Sequence, residues 1–235
     1  HPEQFDFQMM SQDSSLYAQK SLNTERPKAG STSVWISADV LCEVLHDSIT
    51  HLSARSKYLK MPFMEEGQEF IPDFRGESFS LSLDPSLNYL LESSSFDHFG
   101  LAQEPLMLVR ENKILNNIVP EKYAQYLNKK TTSCVGNIVI DAKGMNLKDL
   151  KASESQVLEI LQFSGLFTNP LDLTFSSEIR LARLYDNESG KVTYIKGGSL
   201  SGSLKDNFKG IKWSNEKTTH NHCGFGTSHQ GYKGP

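Results

Sequence analysis

SVWISADVLCEVLHDSITHLSARSKYLK, residues Ser33–Lys60, decides how the rest of the chain is read. A short apolar strand over Val34–Ile36 runs into a helix with Ser37 as its cap. Asp39 in the first turn favours the helix dipole. Val40, Leu41, Val44, Leu45, Ile49 and Leu52 recur at helical period, so one face of this segment is buried. The helix also carries His46-Asp47-Ser48-Ile49-Thr50-His51. Two imidazoles with a carboxylate beside the first are the residue types a hydrolytic zinc site needs. Their spacing leaves two readings open. On a regular helix a five-residue step turns about 140°, so the rings do not share a face. Joint ligation requires a local π-type widening, of the kind found at functional sites in helices. Otherwise these are two unrelated histidines, one partly buried and one on the surface.

Beyond this stretch the pattern turns to strands. Phe79, Leu81 and Leu83 alternate with serines, as in a half-buried strand. Pro105–Val109 and Ile114–Val119 flank Glu111-Asn112-Lys113 as a hairpin would, and Glu121–Leu127 reads as a short helix. Asn137–Asp141 is another apolar strand, and Ser153–Phe163 reads as a second amphipathic helix. Leu171–Tyr185 and Val192–Ile195 enclose a turn at Asp186–Gly190. Gly197–Leu204, GGSLSGSL, implies a close approach between backbones, and a short helix is expected around Lys205–Ile211. Upstream, Phe5 and Phe7 alternate like a strand, Ser15–Leu22 is faintly helical, and Pro27–Thr32 has the composition of a linker. Many strands with few helices predict an α+β fold, mainly antiparallel sheet.

The totals exclude several classes of function. The chain has 235 residues and a net charge of −4, which argues against a nucleic-acid groove or a basic membrane face. No apolar run approaches the roughly 20 residues of a membrane span. Cys42, Cys134 and Cys223 form no CxxC, which points to a reducing compartment, with cytoplasm as the expected location. The start at His1-Pro2 leads us to expect a fragment, with residues 1–32 a remnant or linker and 33–235 one domain. No GxxxxGK[ST] loop and no GxSxG elbow is present. The C-terminal stretch Thr218–Pro235 holds His220, His222, Cys223 and His229 among glycines. His220 and His222 would share a face on an extended segment, with Cys223 on the other. Cys223 reads either as a zinc-ligating thiolate or as an unpaired cysteine in a loose tail.

Three stretches resemble the C-terminal half of the TldD/PmbA (TldD/TldE) metallopeptidases. Ser37–Met64 aligns without gaps and places HDSITH where the catalytic TldD-type subunit carries HExxxH. Ser93–Leu127 is similar to the family's S-x-FD-x-x-G pattern followed by a strand pair, a turn and a short helix. Gly198–Gly226 resembles its glycine strand, short helix and Cys-Gly motif, the last at Cys223-Gly224. The resemblance implies a curved antiparallel sheet with a long metal-site helix packed on it. It also implies one Zn²⁺ held by His46, His51 and Cys223, with Asp47 in the place of the general-base glutamate. The expected activity is zinc-dependent cleavage of extended or unfolded peptides, including leader-peptide trimming. The implied assembly is a homodimer or a heterodimer with a related subunit. Asp47 is one methylene shorter than glutamate, and Asp84-Pro85 and Ser95-Phe96-Asp97 are closer to the metal-free PmbA/TldE type. The alternative is therefore a catalytically inert partner subunit. A zinc-binding structural module without hydrolysis is a third reading.

Overall fold

The computed structural model describes residues 7–221 and 231–234. The chain opens with helix α1 (Phe7–Lys20), strand β1 (Ser33–Trp35) and helices α2 (Ala38–Thr50) and α3 (Ala54–Tyr58). Strands β2 (Phe79–Asp84), β3 (Leu106–Arg110) and β4 (Lys113–Ile114) follow, then α4 (Glu121–Leu127), β5 (Asn137–Ala142) and α5 (Leu147–Ala152). A long pair, β6 (Gln156–Thr168) and β7 (Thr174–Asp186), leads to β8 (Lys191–Ile195) and β9 (Ser199–Ser203). Helix α6 (Leu204–Asn207) and a 3₁₀ turn (Phe208–Gly210) precede the hairpin of β10 (Thr218–Asn221) and β11 (Gly231–Gly234). The fold is α+β with mostly antiparallel sheet.

Two compact units are formed. The first takes in 7–37, 151–167 and 176–201, and the second 38–150, 168–175, 202–221 and 231–234. In the first, strands run in the order β1-β6-β7-β8, with β9 also paired to β7. Strand β1 is parallel to β6, from Ser33 opposite Val157 to Trp35 opposite Glu159. Strands β7 and β8 are antiparallel, Ala182 facing Ile195 and Asp186 facing Lys191. Phe175, Ser177, Ile179 and Leu181 of β7 are buried in alternation, the period of a pleated strand. Leu158, Ile160, Ile179, Ala182 and Ile195 form the core of this unit. Each leucine or isoleucine among them contributes about 1.5–3 kcal/mol by leaving water.

The predicted helix over Ser153–Phe163 is instead the first part of β6, entered from Gln156. Val157, Leu158, Glu159 and Ile160 are all buried in succession. A strand covered on both faces shows no alternation, and apolar residues at 157, 160 and 161 then mimic a helical spacing. Phe7 likewise opens helix α1 rather than continuing a strand; Phe5 lies outside the described residues.

The second unit is built on a six-stranded sheet in the order β10-β11-β5-β2-β3-β4. Strand β2 buries Phe79, Leu81 and Leu83 as the alternation predicts, and pairs antiparallel with β5 from Phe79–Ala142 to Asp84–Asn137. Between β3 and β4, Glu111 and Asn112 have φ of 50° and 62°, the left-handed pair of a type I′ turn. Buried Asn112 suits that geometry and bridges to Ile71: Oδ1 accepts from its N–H and Nδ2 donates to its carbonyl, each at 2.8 Å. Strand β11 runs parallel to β5, Tyr232 opposite Ile138.

Helix α2 starts one residue after Ser37 and buries Val40, Leu41, Val44, Leu45 and Ile49, with Leu52 fully buried just beyond it. It has 13 residues, so it is short, unlike the long helix the family resemblance implied. It stops because the Leu52 and Ser53 N–H groups bond three residues back, to Ile49 at 3.0 Å and Thr50 at 3.0 Å. Ser53 then caps α3, its side chain accepting from Arg55 N–H at 3.3 Å.

Candidate functional site

The ending of α2 separates the two histidines by structural role. His46 and Asp47 are half-buried within the helix, whereas His51 stands in the turn beyond its last residue. Its N–H still reaches the Asp47 carbonyl at 3.3 Å, the regular four-residue step. The π-type widening that joint ligation with His46 would draw on is therefore not present at this step. The turn is held firmly. The His51 carbonyl accepts from Met64 N–H at 2.9 Å, and Leu52 and Ala54 bond on either side to Ile118 at 3.0 and 2.8 Å.

The His51 ring is 2% exposed, and its Nε2 lies 2.5 Å from the Pro170 carbonyl oxygen. A carbonyl only accepts, so Nε2 carries a proton, and in the neutral form of the ring it is Nδ1 that holds the lone pair. Anchoring one imidazole nitrogen on a backbone carbonyl is how metal-binding histidines are commonly oriented, leaving the other nitrogen as donor. Next to it, the Thr168 hydroxyl donates to Asp47 Oδ2.

The anchors come from the end of β6, Thr168, and from the β6–β7 connection, Pro170. That loop is braced by Asn169 N–H to the Thr174 carbonyl at 2.8 Å and by Asp172, whose Oδ1 accepts from Thr174 N–H at 3.0 Å and its hydroxyl at 2.7 Å. Those two bonds to Thr174 hold the Asp172 carboxyl below its ordinary value. Buried Leu173, at φ 63°, has its carbonyl taken by Leu204 N–H at 2.9 Å. The sequence reading missed Thr168 and Pro170. The turn signal of Asn169-Pro170 locates a loop but says nothing of which residue its carbonyl meets.

Among the described residues, no three His, Cys, Asp or Glu side chains gather as a metal ion would need. The third expected ligand, Cys223, lies outside the described residues, as do His222 and His229. His220 belongs to β10, opposite Tyr232 of β11. Helix α2 lies against both strands of this hairpin, which flank in sequence the segment holding Cys223. Imidazole is a donor type that suits zinc, and of the two histidines His51 has its ring anchored through Nε2 on the Pro170 carbonyl.

Two other motifs have structural explanations. Buried Asp97, of the Ser95-Phe96-Asp97 motif, accepts from Phe99 and Leu101 N–H at 2.9 and 3.0 Å and so closes its own loop. Cys134 Sγ lies 3.7 Å from Asp97 Oδ2; burial first, and then the Asp97 charge, push its thiol up to about 11. That thiol is not a nucleophile at neutral pH. Of the glycines of GGSLSGSL, Gly198 and Gly202 mark close approach, by side chains rather than by a neighbouring backbone, and Gly197 has open space around it. A Cβ on Gly198, at φ 72°, would lie 2.5 Å from the Pro27 ring, and one on Gly202 would lie 2.7 Å from Phe175. Beside Gly197, a polar groove of about 580 Å³ in the first unit is lined by Arg26, Ser164, Glu178, Arg180 and Lys196.

A family model described as the PmbA/TldA metallopeptidase C-terminal domain matches residues 29–232. An uncharacterised protein of Methanocaldococcus jannaschii is 27% identical over 146 residues, 57% of this chain and 34% of that protein. A Bacteroides thetaiotaomicron structure named as a candidate modulator of DNA gyrase superposes with a TM-score of 0.74 at 18% identity, covering 88% of this chain and 47% of that one. TldE from Thermococcus kodakarensis gives a TM-score of 0.72 at 13% identity over 93% of this chain and 51% of its own. A candidate modulator of DNA gyrase from Thermotoga maritima gives 0.70 at 16% identity over 85% and 48%. At these identities the three structures share the fold with this chain. The chain spans about a third of the curated relative and about half of each solved chain.

Proposed function

The chain belongs to the PmbA/TldA metallopeptidase family, and on that premise we propose that it is a domain of a zinc-dependent peptidase acting on extended or unfolded peptides in the cytoplasm. The observation that carries this reading is the buried His51 ring, fixed through Nε2 on Pro170 so that Nδ1 of the neutral ring holds the lone pair. His46, His51 and Cys223 are the residues that would hold the ion. Zinc, when bound, supplies Lewis-acid polarisation of a scissile carbonyl and of a water. The chain's own chemistry falls to Asp47. Its carboxylate accepts the proton of the attacking water and passes it to the leaving amine, while Thr168 fixes the orientation of Oδ2. Gly197–Gly202, whose first residue lines the polar groove of the first unit, is the segment whose edge would pair with an extended peptide through main-chain hydrogen bonds. Assembly as a homodimer, or as a heterodimer with a related subunit, accompanies this reading.

A second reading is favoured by one feature, the aspartate at position 47. Its carboxylate reaches about 1.5 Å less far than that of glutamate, a length that matters to proton transfer. The chain would then be an inert PmbA/TldE-like subunit that completes an active partner. The test pairs zinc content with cleavage of a long unfolded peptide by wild type, Asp47→Ala and Asp47→Glu. The peptidase reading expects bound zinc, a loss of about a hundredfold or more in Asp47→Ala, and activity retained or raised in Asp47→Glu. Protein that cannot be loaded with zinc sinks that reading. Cleavage by an assembled complex that is indifferent to Asp47→Ala establishes the inert one.

A further inference from the structure

We propose that the face built by α3 and α4 is a docking site for an acidic, apolar segment of a polypeptide. Its composition departs from that of the chain. Over Ala54–Phe63 and Glu121–Lys130 the sequence carries Arg55, Lys57, Lys60, Lys122, Lys129 and Lys130 against the single acid Glu121, although the chain as a whole has a net charge of −4. Glu121 is already engaged, its carboxylate accepting from Thr131 Oγ1 at 2.7 Å and Gln125 Nε2 at 2.8 Å. Glu65 pairs with Lys57. Two committed carboxylates thus stand against six cations, and the face keeps a positive excess.

The cations are interleaved with rings. Helices α3 and α4 pack together and bring three tyrosines into one cluster. Tyr58 stacks on Tyr126 at 4.9 Å and meets Tyr123 at 5.6 Å. Lys122 Nζ lies 5.9 Å from the Tyr123 centroid, and Lys57 and Lys129 stand over the Phe63 ring at 5.2 and 5.9 Å. Despite this packing, Tyr58 is 46% and Tyr126 56% exposed, and Leu59 and Met61 beside them are exposed as well. Scattered exposed apolar residues need no explanation, but a contiguous ring cluster rimmed by one sign of charge marks an interaction surface.

The chemistry selects the occupant. Lysines around an aromatic and aliphatic centre complement carboxylates spaced between apolar side chains. A nucleic acid would bring a regular line of phosphates onto a surface that also presents Glu65 and Glu121, and the aliphatic Leu59 and Met61 offer nothing to a base edge. Helix α3 begins three residues after His51, so the docking face adjoins the candidate site in the chain. The inference concerns binding alone and stands whether or not the protein cleaves what it binds.

The experiment is fluorescence-anisotropy titration of the whole chain at low ionic strength. The probes are a labelled peptide alternating Glu with Leu and Tyr, its counterpart with Lys for Glu, and a single-stranded oligonucleotide of matching length. We expect the acidic peptide to bind about tenfold or more tighter than the basic one, with binding weakened by added salt. Lys122→Glu with Lys129→Glu should abolish the preference, and Tyr126→Ala, in protein that remains folded, should weaken the acidic peptide about fivefold. Should the charge reversal fail to fold, Lys122→Gln with Lys129→Gln carries the same test. Equal binding of the two peptides, or acidic binding indifferent to these substitutions in folded protein, overturns the proposal. So does an oligonucleotide that binds more tightly than the acidic peptide, which would assign the face to nucleic acid.

Discussion

At the scale of the residue, the two halves of HDSITH are held by different means, and both depend on a loop far away in sequence. His51 is fixed by a carbonyl, Asp47 by a hydroxyl. Thr168→Val keeps the shape of the side chain and removes the donor. Because Asp47 is only half-buried, water recovers part of the loss, so the expected cost is about 1 kcal/mol, or roughly 2–4 °C in Tm. The kinetic consequence separates the functional readings. If Asp47 transfers the proton, Thr168→Val should lower kcat with little change in KM, because a positioning contact is lost rather than a binding one. If the subunit is inert, the melting shift should appear alone. A variant with unaltered Tm and unaltered kcat would mean that the hydroxyl contact orients nothing.

At the scale of the element, legibility followed the burial of each segment. The helical face of α2, the alternation in β2, the Glu111-Asn112 turn and the bounds of α4 were all readable, because each is set by its own residues. Strand β6 was not, because tertiary cover on both faces removes the alternation that identifies a strand. The same strand shows what such cover demands of a charge. Glu159 is buried between β6 and β7, taking the Tyr185 hydroxyl at 2.7 Å, Arg183 Nε at 2.8 Å as a Coulombic contact, and Lys151 Nζ at 3.2 Å. Burial alone would raise its carboxyl, but Tyr185, Lys151 and Arg183 together hold it below the ordinary 4.5. A group depressed on folding contributes its stability above its unfolded value and loses it as pH falls through the folded one. The first unit should therefore weaken as the pH is lowered below about 4.5. Glu159→Gln should flatten that dependence and cost about 2 kcal/mol at pH 7, a figure reduced from that of a sealed pair because Lys151 and Arg183 are partly exposed. The two tryptophans allow a direct reading, since Trp35 lies in the first unit and Trp213 in the second. In a Trp213→Phe background, unfolding followed by Trp35 fluorescence should show the acid-sensitive step, and Glu159→Gln should remove it. Identical acid profiles with and without Glu159 would show that other carboxylates govern it.

At the scale of the whole molecule, the candidate site joins segments that the sequence keeps far apart. Helix α2, the 168–175 loop and the β10–β11 hairpin belong to one unit, and the sequence between the two hairpin strands contains Cys223. The sequence and the family resemblance named His46, His51 and Cys223 as the proposed ligands, and Cys223 lies outside the described residues. The contacts of His51 and Asp47 were not legible there, because His51 meets a backbone carbonyl, which leaves no trace in residue identity, and Asp47 meets a hydroxyl 121 residues away. If His46, His51 and Cys223 share one zinc, binding links the start of the second unit to its end, and metal affinity becomes stability by mass action. Zinc at a hundred times its dissociation constant would add about 2.7 kcal/mol, or roughly 5–11 °C in Tm for a chain of this size. Stripping the zinc-loaded protein with a chelator should lower Tm by that amount, and hydrogen exchange should quicken in α2 and in the β10–β11 hairpin together. Cys223→Ser should melt at the stripped temperature and ignore the chelator, whereas Cys134→Ser, removing a half-buried thiol outside the proposed ligand set, should retain the chelator response. These readouts do not require hydrolysis, so they test the ligand set independently of whether Asp47 can replace glutamate. A zinc-loaded chain whose melting and exchange are unmoved by chelation would refute a shared site, and with it the role given to His51.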